Sequence, residues 1–284
     1  IDLSSMAYEG NYEVHEILDK AEQKLFSLSQ NMERGKFIPL EEMLHDVLDK
    51  WGNHKKGEFL GVASGFNYLD QLLSGFQKSD LIILAGRPSM GKTALALTIA
   101  RNAAVDYGKS VGFFSLEMSR TQISERLITA EAKCDSHLVR DGRLPAKEWR
   151  KLSKAASTLS AASFYIDDSA DLNIMELRAK ARRLKADKGI DIIFVDYLQL
   201  LHTPGRVESR QQEISFISRS LKALAKDLDI PIVALSQLSR ALESRHEKRP
   251  MMSDLRESGA IEQDADVVLF VYRPVVYSRK EEDE

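Results

Sequence analysis

The chain has 284 residues, 43% of them hydrophobic and 29% charged, with 40 Lys plus Arg against 43 Asp plus Glu for a net charge of −3. These are the proportions of an ordinary soluble globular protein, long enough for one large α/β domain and an appendage but cramped for two full domains. The charge excludes a uniformly basic nucleic-acid binder, so any nucleic-acid contact must rest on local patches of Arg and Lys.

In chain order, residues 13–28 set Val14, Ile17, Leu18, Ala21, Leu25 and Leu28 on one stripe of a helix whose other face is charged. A lone helix between polar flanks cannot bury that stripe by itself. It either packs on its own domain or docks on a neighbouring subunit, as a linker helix would. Leu40–Trp51 reads as a second short helix with Leu44, Val47, Leu48 and Trp51 on one side, followed by the loop GNHKKGEF. Residues 1–57 are therefore expected to form a linker region and 58–284 a separate domain.

From Leu60 onward strands and helices alternate, which predicts a mostly parallel sheet. The strand candidates are Leu81–Ala85, Val111–Leu116, Ser163–Ile166, Asp191–Val195, Ile232–Leu235 and Val267–Tyr272. Helices fit Thr93–Tyr107, Gln122–Lys133, Ala146–Leu159, Ile174–Ala186 and Arg210–Asp227. Right-handed crossovers would then place functional loops at the carboxyl ends of the strands.

Gly86-Arg87-Pro88-Ser89-Met90-Gly91-Lys92-Thr93 matches GxxxxGK[ST] and sits between a strand and a helix, the context that motif requires. The glycines let backbone N–H groups turn inward around phosphate oxygens, and the helix N-terminus adds partial positive charge. Lys92 can reach the β and γ phosphates of a nucleotide such as ATP, and the Thr93 hydroxyl can ligate Mg²⁺. Asp196 ends the apolar run DIIFV, where a second carboxylate would hold Mg²⁺ through water. Glu117, in SLEMS after the run VGFF, is either a base for the attacking water, a solvated loop acid or a helix-capping group. Gln237, ending IPIVALSQ, is placed to touch a γ-phosphate and sense its loss.

The single cysteine, Cys134, excludes an internal disulfide and reads as a reduced packing residue of a cytoplasmic protein. The six histidines form no HxxxH or HxExxH grouping, so no metal site built by protein alone is expected. No apolar run reaches membrane-span length, and no signal-peptide pattern is present.

With these pieces, the segments AGRPSMGKTALAL, SLEMS, DYLQLL, QEIS, ALSQLSR and KRPMMSDLRESGAIEQDAD resemble the replicative DNA helicases of the DnaB family, from about Gly61 to Tyr272. The resemblance implies a RecA-like P-loop NTPase core with a mostly parallel central sheet, preceded by an amphipathic linker helix at 13–28. It implies a homo-hexameric ring around single-stranded DNA, with ATP and Mg²⁺ at subunit boundaries and with primase and a helicase loader as partners.

By position, Lys92 and Thr93 become the phosphate and Mg²⁺ residues, Glu117 the catalytic base, Asp196 the metal-organising acid and Gln237 the γ-phosphate sensor. LRESG is similar to the family's DNA-gripping loop, which brings Arg256, Glu257 and Gly259 near the DNA backbone. His202–Arg210 is either a second pore-lining segment or a plain solvated loop. The family also has an N-terminal helical domain and a trailing KQRNG-like segment that supplies an arginine finger. Neither is in this sequence, so the 284 residues alone are expected to bind nucleotide and hydrolyse it poorly. The alternatives are a RecA-type recombination or repair ATPase, a phosphoryl-transfer enzyme for a small acceptor, and a nucleotide-gated DNA-binding scaffold. The linker helix and LRESGAIEQDAD speak against the first, and the missing Arg-rich lid against the second.

Overall fold

The computed structural model describes residues 39–52, 59–141, 143–203 and 209–278. The stripe expected at 13–28 lies outside them. The chain divides into two compact units, Ile1–Glu58 and Phe59–Glu284. In the first, the described residues form one helix, α1 (Leu40–Gly52), on which Leu44, Leu48 and Trp51 are exposed.

The second unit runs α2 (Asn67–Leu73), β1 (Leu81–Gly86), α3 (Lys92–Arg101) with a π-helical turn at Asn102–Asp106, β2 (Val111–Ser115) and α4 (Arg120–Ala132). It continues through α5 (Ser136–Arg140), α6 (Ala146–Ser160), β3 (Phe164–Asp167), α7 (Ile174–Lys188), β4 (Ile192–Asp196) and a 3₁₀ turn at Leu198–Leu200. Then come α8 (Arg210–Leu228), β5 (Ile232–Gln237), 3₁₀ turns at Arg240–Ser244 and Met252–Ser258, α9 (Gly259–Asp264), β6 (Val267–Phe270) and α10 (Val275–Ser278).

The strands form a six-stranded sheet in the order β3-β2-β4-β5-β1-β6, and every pairing is parallel. Both faces are covered, which is why the strands read as unbroken apolar runs rather than as alternating ones. Leu81, Ile83 and Ala85 of β1 point to the core shared with α7 and α8, while Ile82 and Leu84 point to the core shared with α3 and α4. Phe113 stacks between Phe164 and Phe194 at 6.2 and 5.8 Å, carrying the second core across β3, β2 and β4. β3, at the sheet edge, is only half-buried and ends in Asp167.

Local signals set the helix ends. Ser119 and Gln122 form a reciprocal capping box at the start of α4, and Asn173 and Ser209 cap α7 and α8 through their side chains. Gly189, at φ +64°, closes α7.

The expected helix Thr93–Tyr107 is not a single α-helix, because α-helical geometry ends at Arg101 and a π turn follows. At that change Asn102 Nδ2 donates to the Ser64 carbonyl (3.0 Å), so the helix meets the segment that leads into α2. The same segment is organised by Asp70, which is buried and accepts from the N–H groups of Ser64 (2.7 Å) and Gly65 (3.0 Å). The expected strand to Tyr272 ends at Phe270, although the Val271 N–H still bonds to the Ala85 carbonyl (2.8 Å). LRESG is not an open loop: its backbone lies across the Met252–Ser258 turn and the start of α9.

Candidate functional site

Strand register assembles the site. Gly86 pairs with Gln237 and Ser115 with Asp196, so β1, β5, β2 and β4 deliver their carboxyl ends to one rim of the sheet. The motif from Gly86 to Thr93 leaves β1 and enters α3 at that rim. Gly91 has φ +97°, a conformation that strains any residue with a side chain, and Ser89 also lies at positive φ (64°). A Cβ on Gly86 would sit 3.0 Å from the Val271 carbonyl and 3.2 Å from Lys92 Cγ. No side chain caps α3, so its first-turn N–H groups are left for a ligand. A backbone cradle at the head of a ten-residue helix suits an anion.

Lys92 opens α3, and its Nζ donates to the Arg87 carbonyl at 3.3 Å. Its pKa is lowered, first by burial, against the opposing attraction of Asp196 and Glu117. Here desolvation outweighs the two carboxylates, and a polyphosphate would supply the negative charge this ammonium lacks. Glu117 is exposed, beyond β2 and close enough to bear electrostatically on Lys92 and Asp196. The turn that carries it is fixed by Ser115 Oγ, which donates to the Met118 carbonyl (2.7 Å) and accepts from the Met118 N–H (3.2 Å). Since Ser119 caps α4, Glu117 is not the helix cap.

Asp196 ends β4 and is 1% exposed. Burial pushes its pKa up to about 6; the Thr93 hydrogen bond opposes this, the charge of Glu117 adds to it, and Lys92 and Arg126 oppose it. Its Oδ2 is buried without a hydrogen-bond partner, a costly state for a carboxylate at neutral pH. An orphan carboxylate oxygen beside a threonine hydroxyl is the hard-oxygen donor set that Mg²⁺ prefers. Thr93 and Asp196 therefore fit that ion, the first directly and the second directly or through water.

This pKa has a stability consequence. Between the unfolded value of 3.8 and the folded value of about 6, the folded state binds the extra proton, so stability falls as pH rises through that window. The full loss is roughly 3 kcal/mol. Asp196→Asn is accordingly expected to melt several degrees higher than the parent at pH 7.5 while losing Mg²⁺-dependent nucleotide binding. The gap in melting temperature should widen from pH 5 to pH 7. A gap independent of pH would show that the carboxylate is not the destabilised group.

Gln237 ends β5 half-buried, and its N–H donates to Gln199 Oε1 (3.2 Å). Gln199 Nε2 returns bonds to Ser236 Oγ (3.0 Å) and the Gln237 carbonyl (3.2 Å), fixing the end of β5 from β4's outgoing turn. Nothing in the pattern DYLQ distinguished Gln199 from an ordinary turn residue. Arg87 was grouped with the phosphate loop, yet its side chain is buried and bonds to Leu238 and Glu243, so its share of the cradle is backbone alone. Arg126, exposed on α4, bears on Asp196 and has no sequence signal of its own.

The structure thus brings Gly86–Thr93, Glu117, Asp196 and Gln237 to one rim. The segment 256–259, described in its backbone only, lies in the helical stretch after β5. The ends of the segment His202–Arg210 are tied down, His202 through the Ile174 N–H (2.9 Å) and Thr203 through Glu213 (3.2 Å), while 204–208 lie outside the described residues. Among the described residues, no helix is long and apolar enough to cross a membrane.

Residues 61–284 match the family model of the DnaB-like helicase C-terminal domain. The replicative DNA helicase DnaB of Geobacillus stearothermophilus is 47% identical over 279 residues, spanning 97% of this chain and 62% of that protein. The replicative DNA helicase DnaC of Bacillus subtilis (strain 168) is 45% identical over 280 residues, with 97% and 62% covered. The chain therefore spans about three fifths of the length of these relatives. Among solved structures, a DnaB-like replicative helicase solved with its interactions with primase superposes with a TM-score of 0.81 at 36% identity, covering 99% of this chain and 67% of that one. A solved helicase ATPase domain superposes with a TM-score of 0.82 at 38% identity, covering 87% and 88%. The α/β unit is accordingly a RecA-like ATPase fold.

Proposed function

Because the chain belongs to the DnaB-like helicase C-terminal domain family, we propose that it is the motor of a replicative 5′→3′ DNA helicase, coupling ATP hydrolysis to movement along single-stranded DNA. The observation that carries this reading is the convergence of Lys92, Glu117 and Asp196 at the carboxyl rim, where their charges act on one another.

In this reading Lys92 and the α3 N-terminus bind the β and γ phosphates. Thr93 and Asp196 would hold Mg²⁺, which when bound offsets charge on the transferring phosphoryl group. Glu117 takes the proton of the attacking water as its oxygen bonds to the γ-phosphorus. The bond from that phosphorus to the β–γ bridging oxygen breaks, and ADP leaves with its electron pair. Gln237, held from behind by Gln199, is placed to register whether the γ-phosphate is present. Glu117 needs no hydrogen-bond partner of its own to serve, because a base in solvent reach meets its water only when nucleotide is bound.

The LRESG segment is the proposed DNA contact, with Arg256 and backbone N–H groups gripping phosphates without reading bases. Repetition around a homo-hexamer would multiply this modest charge, which reconciles DNA binding with a net charge of −3. The helix expected at 13–28 would join neighbouring subunits, and primase and a loader would be partners.

The reading is tested by steady-state ATP hydrolysis with and without oligodeoxythymidylate. Stimulation by DNA is expected, and turnover indifferent to DNA speaks against a motor. Arg256→Ala is expected to weaken single-stranded DNA binding equally for all sequences and to lower the salt slope by about one unit for each phosphate no longer neutralised. A change confined to ATP turnover, with the DNA isotherm unmoved, would reassign the segment.

A further inference from the structure

Arg87 occupies the second position of the phosphate loop, yet its guanidinium does not face the phosphate cradle. It is 6% exposed, with Nη1 donating to the Leu238 carbonyl (2.8 Å) and Nε and Nη2 donating to one oxygen of Glu243 (2.9 and 2.6 Å). The Leu238 N–H in turn donates to the Gly86 carbonyl (3.3 Å). The segment that follows the sensor strand is thus fastened to the phosphate loop by backbone and by charge.

Its other end is fastened to the segment ahead of LRESG. The Ser239 N–H donates to the Asp254 carbonyl (3.0 Å), and Asp254, 6% exposed, accepts from Arg245 Nη2 (2.9 Å) and the Met251 N–H (2.8 Å). Between these joints lies the 3₁₀ turn Arg240–Ser244, anchored in the interior by Leu242 at 0% exposure. Each joint places one buried ion against an opposite charge: Arg87 against a half-exposed Glu243, and Asp254 against a partly exposed Arg245. A buried charge holds its partner tightly, because releasing it would leave an uncompensated ion. The segment therefore has two stiff ends and no slack.

We infer that Leu238–Arg245 is a strut, clamped by Arg87–Glu243 at the phosphate loop and by Arg245–Asp254 at the other end, and that it couples nucleotide state to the DNA-binding turn. Glu243 and Arg245 are positioning residues, touching neither nucleotide nor DNA. The inference rests on the motor reading above, which supplies the DNA contact at LRESG. Coupling of this kind is reciprocal, so DNA must change nucleotide affinity by the same factor that nucleotide changes DNA affinity.

The test is the affinity of the protein for fluorescent oligodeoxythymidylate in Mg²⁺-ADP and in a Mg²⁺-bound non-hydrolysable ATP analogue, with nucleotide affinity measured separately. Wild type is expected to show a ratio between the two states of about 5-fold or more, the lower end of ordinary allosteric coupling. Glu243→Ala should bring the ratio below about 2-fold while each nucleotide binds within about 3-fold of wild type, since typical coupling energies are separable from site affinity. Glu243→Gln, which keeps an acceptor oxygen for Arg87, should restore part of the ratio. Arg245→Met loosens the far joint with Arg87–Glu243 intact and should give the same loss, which keeps the test decisive should Glu243→Ala fail to fold.

An unchanged ratio in Arg245→Met and in either Glu243 variant would overturn the strut. Loss of nucleotide binding in Glu243→Ala with a normal ratio in Arg245→Met would overturn it too, reducing Arg87–Glu243 to a staple of the loop. If wild type binds DNA equally in both nucleotide states, or not at all, the motor reading fails and the strut with it.

Discussion

Lys92→Ala is expected to lower affinity for Mg²⁺-ATP by roughly 10- to 100-fold and to reduce hydrolysis to background. In the ligand-free site Lys92 touches only a carbonyl, and burial depresses its pKa against the pull of Asp196 and Glu117. A triphosphate reverses that balance, because the half-desolvated ammonium gains a charge-assisted bond to phosphate oxygen. Such bonds contribute about 1.5–3 kcal/mol each in the ground state. Charge growing on the leaving oxygen makes the same contact stronger in the transition state, so turnover should fall further than binding. Isothermal titration and a phosphate-release assay separate the two losses. Unchanged affinity and turnover would remove the phosphate site from α3 altogether.

Glu117→Gln is expected to leave nucleotide affinity within a few-fold of wild type and to slow hydrolysis by about 10²–10⁴, the usual contribution of a positioned base. The carboxylate is solvent-facing and its turn is set by Ser115 and Met118, so amide replacement disturbs no packing. Removing its negative charge also relieves Asp196, whose pKa should drop. A Mg²⁺-ATP complex that is bound and stable for minutes is the expected signature in a filter-binding chase. Retained hydrolysis would put the base elsewhere.

The strands were legible in the sequence because both sheet faces are buried: LIILAG, VGFFS and IIFVD are apolar throughout, and a parallel sheet sandwiched by helices demands that. The phosphate loop was legible for a local reason, since backbone conformation and a helix start are encoded in adjacent residues. Asp196, Glu117 and Gln237 could be proposed as strand-end residues, but only register brings them to one rim. Long-range partners were not legible. Arg87 reads as loop filler until Glu243, far along the chain, is placed beside it. Gln199 and Asp70 likewise act through bonds to backbone, which leaves no pattern of residue types. The π turn after Arg101 interrupts a helical periodicity that continues unbroken in the sequence, so only the geometry reveals it.

The most direct measurement is ATP-driven strand displacement from a forked duplex carrying a labelled strand, with Lys92→Ala as control. The account predicts release from a fork bearing a free 5′ single-stranded tail, dependence on ATP and Mg²⁺, and none from a duplex with only a 3′ tail or with Lys92→Ala. Displacement that persists without ATP hydrolysis, or that follows a 3′ tail, would contradict it.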